Sequence, residues 1–177
     1  MSLGPAGASL DPDQAENNPD IEAQFSVKGT TTHEYLSQTF FKGSPSLPVV
    51  EHIEAYWGLL NKCRASELRL TKYDDDIYAH FKREFPEYDL KSTLNEDEVK
   101  SKAGKERWRN FIETYKETVK DYNFGTIVRT NPSFEYGEKE TILVVRMQFY
   151  AFEIARNREG LNDWIYERNH PEQAKAA

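Results

Sequence analysis

Cysteine occurs once in the 177 residues, at Cys63, which excludes an intrachain disulfide and suits a reducing compartment. No stretch approaches the run of about 20 apolar residues that a membrane span requires. The first ten residues lack the basic start and long apolar stretch of a secretory signal, and Met1-Ser2-Leu3 reads as a vector-derived remnant. The single Asn-x-Ser/Thr triplet, Asn131-Pro132-Ser133, carries the proline that bars glycosylation. A cytoplasmic location is therefore expected. Positive charge is also short: the formal net charge is −7, which argues against whole-molecule attraction to nucleic acid or an anionic membrane.

The equipment of catalysis is missing as well. There is no phosphate-cradling Gly-rich loop, no G-x-G-x-x-G turn and no G-x-S-x-G elbow, so nucleotide and methyl-donor chemistry of the usual kinds lacks its scaffold. His33, His52, His80 and His170 are isolated from one another, and Cys63 has no Cys or His at ligand spacing, which argues against zinc. Lys62 and Arg64 flank Cys63, but a half-buried position at a helix end is preferred to an activated thiolate. Asp74-Asp75-Asp76 resembles the acidic clusters that hold a divalent metal. At a helix start, however, carboxylates favour the macrodipole, and Asp74 is assigned as a cap. No catalytic residue, metal or cofactor is expected.

What is present is material for one core. Hydrophobic residues make up 38% and aromatics 13%, against 30% charged. Residues 1–19 are too poor in apolar groups to offset ordering entropy and are expected to be disordered. A short helical start is placed at Asp20-Ile21-Glu22, and residues 29–48, rich in Thr, Ser, Gly and Pro, form a loop or insertion. Val49, Ile53, Tyr56, Trp57 and Leu60 then recur at helical spacing, with Pro48 in the first turn. A second helix carries Ile77, Phe81 and Phe85 and stops at Pro86. Asn95 and Glu98 form a capping-box pattern opening a long helix with Trp108, Phe111, Ile112, Tyr115, Val119 and Tyr122 on one face; Gly104 weakens it early, so that its first turns stand apart or fray.

Residues 124–130 and 140–145 alternate and are β-branched, with Asn131-Pro132 and Gly137 between them, which predicts a β-hairpin. Residues 145–154 are apolar nearly all round, as in a central helix. Arg156, Arg158 and Gly160 supply its basic last turn and stop. A short helix over residues 162–166 and a polar tail complete the chain. The reading is a mainly α, single compact helical domain of about five helices, with one short β-hairpin inserted before a central, buried C-terminal helix. It spans residues 20–168, with a flexible tail at 169–177.

Two clusters stand out. Lys100, Lys102, Lys105, Arg107 and Arg109 lie beside Trp108 in an otherwise acidic chain. They read either as a solvated face balanced by Glu96, Asp97, Glu98 and Glu106 or as a docking face for an acidic partner or RNA phosphate. The segments Asp121-Tyr122-Asn123-Phe124-Gly125-Thr126 and Glu153-Ile154-Ala155-Arg156-Asn157-Arg158-Glu159-Gly160 mix charge, amide and glycine at element ends. They read as a buried Asp–Arg–Asn network joining the hairpin to the central helix, or as an interface patch extended by Trp164 and Tyr166.

The chain resembles the family called polysaccharide biosynthesis domain-containing protein 1, small eukaryotic proteins. The resemblance is carried by Asn18-Pro19-Asp20-Ile21-Glu22, Leu70-Thr71-Lys72-Tyr73-Asp74-Asp75, Lys102-Ala103-Gly104-Lys105-Glu106-Arg107-Trp108-Arg109 and Asp121 to Thr126. The longest match is the run Gln148-Phe149-Tyr150-Ala151-Phe152-Glu153-Ile154-Ala155-Arg156-Asn157-Arg158-Glu159-Gly160-Leu161-Asn162. It covers residues 49–166 and the N-terminal signature. Family members run from Ile21-Glu22 almost directly into the helix at Val50, so residues 29–48 stand as an excursion, either a natural insertion or an artefact of how the gene's exon boundary is drawn, that leaves the core intact.

The resemblance implies a mainly helical domain and a dedicated chaperone of newly made translation elongation factor 1-alpha. Such a chaperone acts at the ribosome with the nascent polypeptide-associated complex and engages the factor's GTP-binding domain. The leading expectation is thus a non-enzymatic, monomeric binding protein. Asp121, Asn123, Arg129, Arg156, Asn157 and Arg158 would form its recognition patch, and Lys102, Lys105, Arg107 and Arg109 a second surface facing the partner or ribosome. The alternatives are an enzyme of polysaccharide biosynthesis or methyl transfer, as the family name suggests, and an RNA- or ribosome-binding module using the Lys102 to Arg109 cluster.

Overall fold

The computed structural model describes residues 47–175; the expectations for 1–19, for Asp20-Ile21-Glu22 and for most of 29–48 lie outside the described residues. Helix α1 (Leu47–Lys62) leads through a 3-10 turn (Ala65–Glu67) to α2 (Asp74–Glu84), α3 (Glu96–Val99) and α4 (Lys102–Glu113). The hairpin strands β1 (Gly125–Arg129) and β2 (Thr141–Val145) run straight into α5 (Arg146–Arg158), followed by α6 (Asp163–Asn169) and α7 (Pro171–Ala174). Mainly helical with one two-stranded antiparallel sheet, the described chain has five helices of seven residues or more.

The hairpin is buried on both faces, and period-two alternation sorts its side chains. Ile127 pairs in register with Leu143, and both pack with Val49 of α1. Val128 and Ile142, paired one step along, face the main core with Val144. Helix α5 packs on the sheet, on α2 and on α4. Ten of its 13 residues are buried, as its all-round apolar character predicts. Its first turn is closed where the Gln148 side-chain oxygen accepts the Val145 N–H at 3.0 Å, and Gly160 at φ 73° ends it. Beside it lies an aromatic cluster: Phe85 stacks on Trp108 with centroids 4.1 Å apart, and Phe152 of α5 meets Trp108 at 5.3 Å.

Three local expectations are corrected. Asp74 does not cap α2: Tyr73 holds the N-cap position. The Asp74 carboxylate instead reaches back, accepting the Leu70 and Thr71 N–H groups at 2.8 and 2.7 Å and the Thr71 hydroxyl at 2.7 Å. The long helix from Asn95 is two helices, the early separation that Gly104 signalled. Asn95 caps only the one-turn α3, by accepting the Asp97 N–H. Ser101 caps α4, by accepting the Gly104 N–H at 3.0 Å. Gly104 is required at that junction, since a Cβ there would meet the Glu98 and Val99 carbonyl oxygens at 2.5 and 2.8 Å. Helix α4 ends at Glu113, and Tyr115, Val119 and Tyr122 are buried from turns beyond it. Cys63 is exposed, not half-buried.

Candidate functional site

The charged residues that the sequence marks near the hairpin converge, but inward. Arg129, Glu153 and Arg156 are each 0% exposed. Glu153 projects from the middle of α5; its Oε1 accepts from Arg156 Nη1 at 2.8 Å. Its Oε2 accepts from the Tyr56 hydroxyl at 2.6 Å, from Asn162 Nδ2 at 2.9 Å and from Arg129 Nη2 at 3.3 Å. Arg156 Nη1 also donates to the Arg129 carbonyl at 2.8 Å, pinning α5 to the end of β1. Arg129 Nη1 donates to the Pro132 and Phe134 carbonyls at 2.9 and 3.0 Å, so residues 131–136 wrap around its guanidinium. Asn157 Oδ1 accepts from Asn162 Nδ2 at 2.7 Å.

Burial alone pushes the Glu153 carboxyl up, because it disfavours the charged form. The guanidinium groups of Arg129 and Arg156, with the Tyr56 hydrogen bond, outweigh that and hold it at about 2. The carboxylate is therefore ionised and saturated with donors. It is a structural hub joining α1, β1, α5 and the α5–α6 turn.

This overturns the recognition patch as a surface. Arg129, Arg156 and Asn157 are internal, so no partner can touch them; the alternative, a buried network between hairpin and helix, is what forms, with Glu153 in the place expected of an Asp. The rest of the predicted patch is dispersed. Asp121 is half-buried before β1, 3.6 Å from Arg146, and Asn123 is half-buried in the same turn. Arg158 is exposed at the end of α5, paired with Asp75 across to α2 and set over the Tyr78 ring. Sequence reasoning missed Tyr56 and Asn162. It could have flagged Glu153, a carboxylate within an apolar helix with Arg156 at i+3, because such a charge must find a partner.

Over the hub lies an aromatic cover. Trp57 of α1 and Tyr136 of the hairpin loop flank the Arg129 guanidinium, each ring centroid 5.7 Å from it. Trp164 of α6 stands 6.5 Å from Trp57, donates Nε1–H to the Pro132 carbonyl at 2.8 Å and carries the Arg168 guanidinium over its face. Phe134, on the loop that wraps Arg129, is 38% exposed. The three other rings are half-buried.

The basic cluster is a separate place. Lys102, Lys105, Arg107 and Arg109 lie on α4, whereas Lys100 closes α3 and pairs with Glu96 at 2.6 Å. Arg107 is committed to the Glu87 carboxylate and the Glu84 carbonyl, with its guanidinium 4.7 Å from the Phe85 centroid. Lys102 and Arg109 are exposed and Lys105 half-exposed. Trp108 is 2% exposed and turned into the core, so it offers no ring to a nucleic-acid base. Asp74, Asp75 and Asp76 do not converge: the first is buried on its own turn, the second pairs with Arg69 and Arg158, and the third is exposed. Among the described residues no group of three His, Cys, Asp or Glu side chains is arranged to hold a metal. No described helix is long and apolar enough to cross a membrane.

A helical domain centred on a hairpin and a buried charged hub, with an aromatic cover on that hub, is the class of protein these features define. The chain belongs to the PBDC1 protein family, whose model matches residues 46–167. It is 45% identical over 161 residues to a Saccharomyces cerevisiae protein named as a PBDC1 homolog, covering 89% of this chain and 97% of that one. Against human protein PBDC1 the identity is 35% over 158 residues, 89% of this chain and 59% of the human protein. A solution NMR structure of a Saccharomyces cerevisiae protein matches with a TM-score of 0.65 at 46% identity, covering 80% of this chain and 94% of that one.

Proposed function

We propose that this chain is a non-enzymatic chaperone that holds newly made translation elongation factor 1-alpha through its GTP-binding domain. The observation that carries the reading is the aromatic cover formed by Trp57, Tyr136 and Trp164, with Arg168 on its rim and the exposed Phe134 on the loop that wraps Arg129. Tyr, Trp and Arg are the residues that dominate polypeptide interfaces, because each offers a large apolar face with a polar handle. The hub beneath holds these rings still, so little side-chain freedom is lost when a client arrives. Release follows if the client's partly folded state fits the cover better than its finished, nucleotide-loaded state. In this reading the protein works in the cytoplasm, as a monomer, beside the ribosome and the nascent polypeptide-associated complex.

The test is capture of the factor as it is made by cell-free translation. Wild-type protein should retain the nascent factor, and Phe134→Asp combined with Arg168→Glu should lower capture about ten-fold. Both residues are exposed, and a melting midpoint matching the wild type would show that the double variant keeps the fold although Arg168 loses its pair with Glu135. A wild-type protein that captures nothing sinks the client, and a double variant that captures normally sinks the surface.

A further inference from the structure

Between residues 100 and 120 the chain carries seven Lys or Arg against three Glu, although the whole chain is at −7. Within α4, Lys102, Lys105 and Arg109 recur at i, i+3 and i+7. At roughly 100° per residue they fall within a sector of roughly 60°. They extend over about 10 Å of helix at 1.5 Å per residue. Arg107, Asn110 and Thr114 occupy the other flank, against α2, where Arg107 is already bonded. The side chains of Lys102, Lys105 and Arg109 form no ion pair or hydrogen bond with another described residue, even though Glu106 and Glu113 stand four positions from Lys102 and Arg109.

We infer that this stripe is a docking surface for an acidic polypeptide segment, one presenting carboxylates at i, i+3 or i+4, and i+7 on a helix laid along α4. The occupant is chosen by charge complementarity. Three cations over about 10 Å match the carboxylate spacing of a second helix of the same rise. A nucleic-acid strand fits less well on two counts. The stripe has no ring on which a base can stack, Trp108 being buried. In addition, a net charge of −7 repels a densely charged phosphate chain more than a segment with a few carboxylates. The stripe and the aromatic cover lie on different elements, so the inference does not depend on the identity of the client.

The experiment measures binding of a synthetic helical peptide bearing Glu at that spacing, of its Gln counterpart, and of a single-stranded RNA oligomer. The Glu peptide should bind the wild type about ten-fold tighter than the Gln peptide, with affinity falling as salt rises. Lys102→Glu, Lys105→Glu and Arg109→Glu together should abolish that difference, while Lys102→Arg, Lys105→Arg and Arg109→Lys should hold affinity within about two-fold. The inference is overturned if RNA binds the wild type more tightly than the Glu peptide, if charge reversal leaves the peptide's affinity unchanged, or if the charge-conserving variant loses it. Capture of nascent elongation factor, read on the same reversed variant, judges the proposed function separately.

Discussion

The hub and the α4 stripe both set cationic side chains beside aromatic residues, arginines at the hub and two lysines with one arginine on α4, and they behave in opposite ways. At the hub, two arginines are sealed in the interior with one glutamate, and the Arg129–Glu153 pair and the bond from Arg156 to the Arg129 carbonyl hold β1 to α5. On α4, three cations face outward with no described partner. The difference is made by their surroundings. Arg129 ends a strand buried on both faces, and Arg156 lies on a helix with ten buried residues, so neither can reach water. The α4 cations alternate with Glu and Gly on an amphipathic helix and always can. Charge composition is silent about role; the periodicity of the neighbouring apolar residues is what separates structural from interactive charge.

The sharpest way to break this comparison is to remove the hub's carboxylate. Glu153→Gln leaves Arg129 and Arg156 buried without a counter-charge, which should cost about 3–5 kcal/mol. At about 2–4 °C per kcal/mol for a chain of this size, the midpoint should drop by roughly 10 °C. The pH dependence follows from the depressed carboxyl. Its folded value of about 2 lies below the ordinary 4.5, so its stabilisation is complete above pH 4.5 and drains away as pH falls towards 2. His52 acts in a higher window. Burial, with the Arg146 charge, lowers it from 6.5 to about 3, so the imidazole is neutral when folded. Acid therefore weakens the fold from below pH 6.5 as the unfolded chain takes up that proton. Thermal melts from pH 7 to 2.5 should show both windows in the wild type and a much reduced lower one in Glu153→Gln, where only exposed carboxylates such as Asp75 and Glu87 remain depressed by their arginine partners. A variant that melts like the wild type would mean that the hub is not what joins α1, β1 and α5.

Gly104→Ala is the next largest effect, and two principles disagree about its sign. Helix propensity alone predicts a gain of up to about 1 kcal/mol. Contact with two backbone carbonyls inside 3 Å, neither able to rotate away, predicts a loss of about 1–3 kcal/mol. We expect the loss, read as a lower denaturation midpoint with an unchanged slope. The same residue marks a limit of sequence reading. Asn95 does cap a helix, and Gly104 signalled that the first turns could stand apart, but the pattern did not say that α3 lasts one turn before Ser101 starts another. The decisive fact is the approach of the Glu98 and Val99 carbonyls to Gly104, a close fit of two successive helices that periodicity does not encode.

More was legible where the periodicity was long. Val49, Tyr56 and Leu60 on α1, the two strands, and the buried α5 follow from spacing alone, because each buries an apolar face or band that only one secondary structure can present. The site was half legible. Arg129, Arg156 and Asn157 were three of the six residues expected in one recognition patch; the structure gathers these three at the hub, leaves Asp121, Asn123 and Arg158 apart from it, and turns the three inward, although an arginine near a helix end is exposed far more often than buried. The aromatic cover was harder still. Trp57, Tyr136 and Trp164 come from three distant segments, and Trp57 sits among core residues in sequence, so only the folded arrangement brings the rings together.

Arg156 and Arg158 sharpen the comparison at its finest scale. They are two residues apart, on opposite sides of the same turn of α5. Arg156 is wholly buried beside Glu153, whereas the Arg158 side chain is 37% exposed and paired at 2.5 Å with Asp75, itself 68% exposed. Water and salt screen the outer pair, and ordering two flexible side chains offsets most of what remains of the attraction. Arg158→Ala should therefore leave the melting midpoint within about 2 °C of wild type, whereas Arg156→Ala, which strands Glu153 with half its charge compensation, should approach the loss seen for Glu153→Gln. Equal losses for the two alanine variants would show that the Asp75 pair holds α2 to α5 as firmly as the hub holds β1, and the division between structural and surface charge would have to be redrawn through α2.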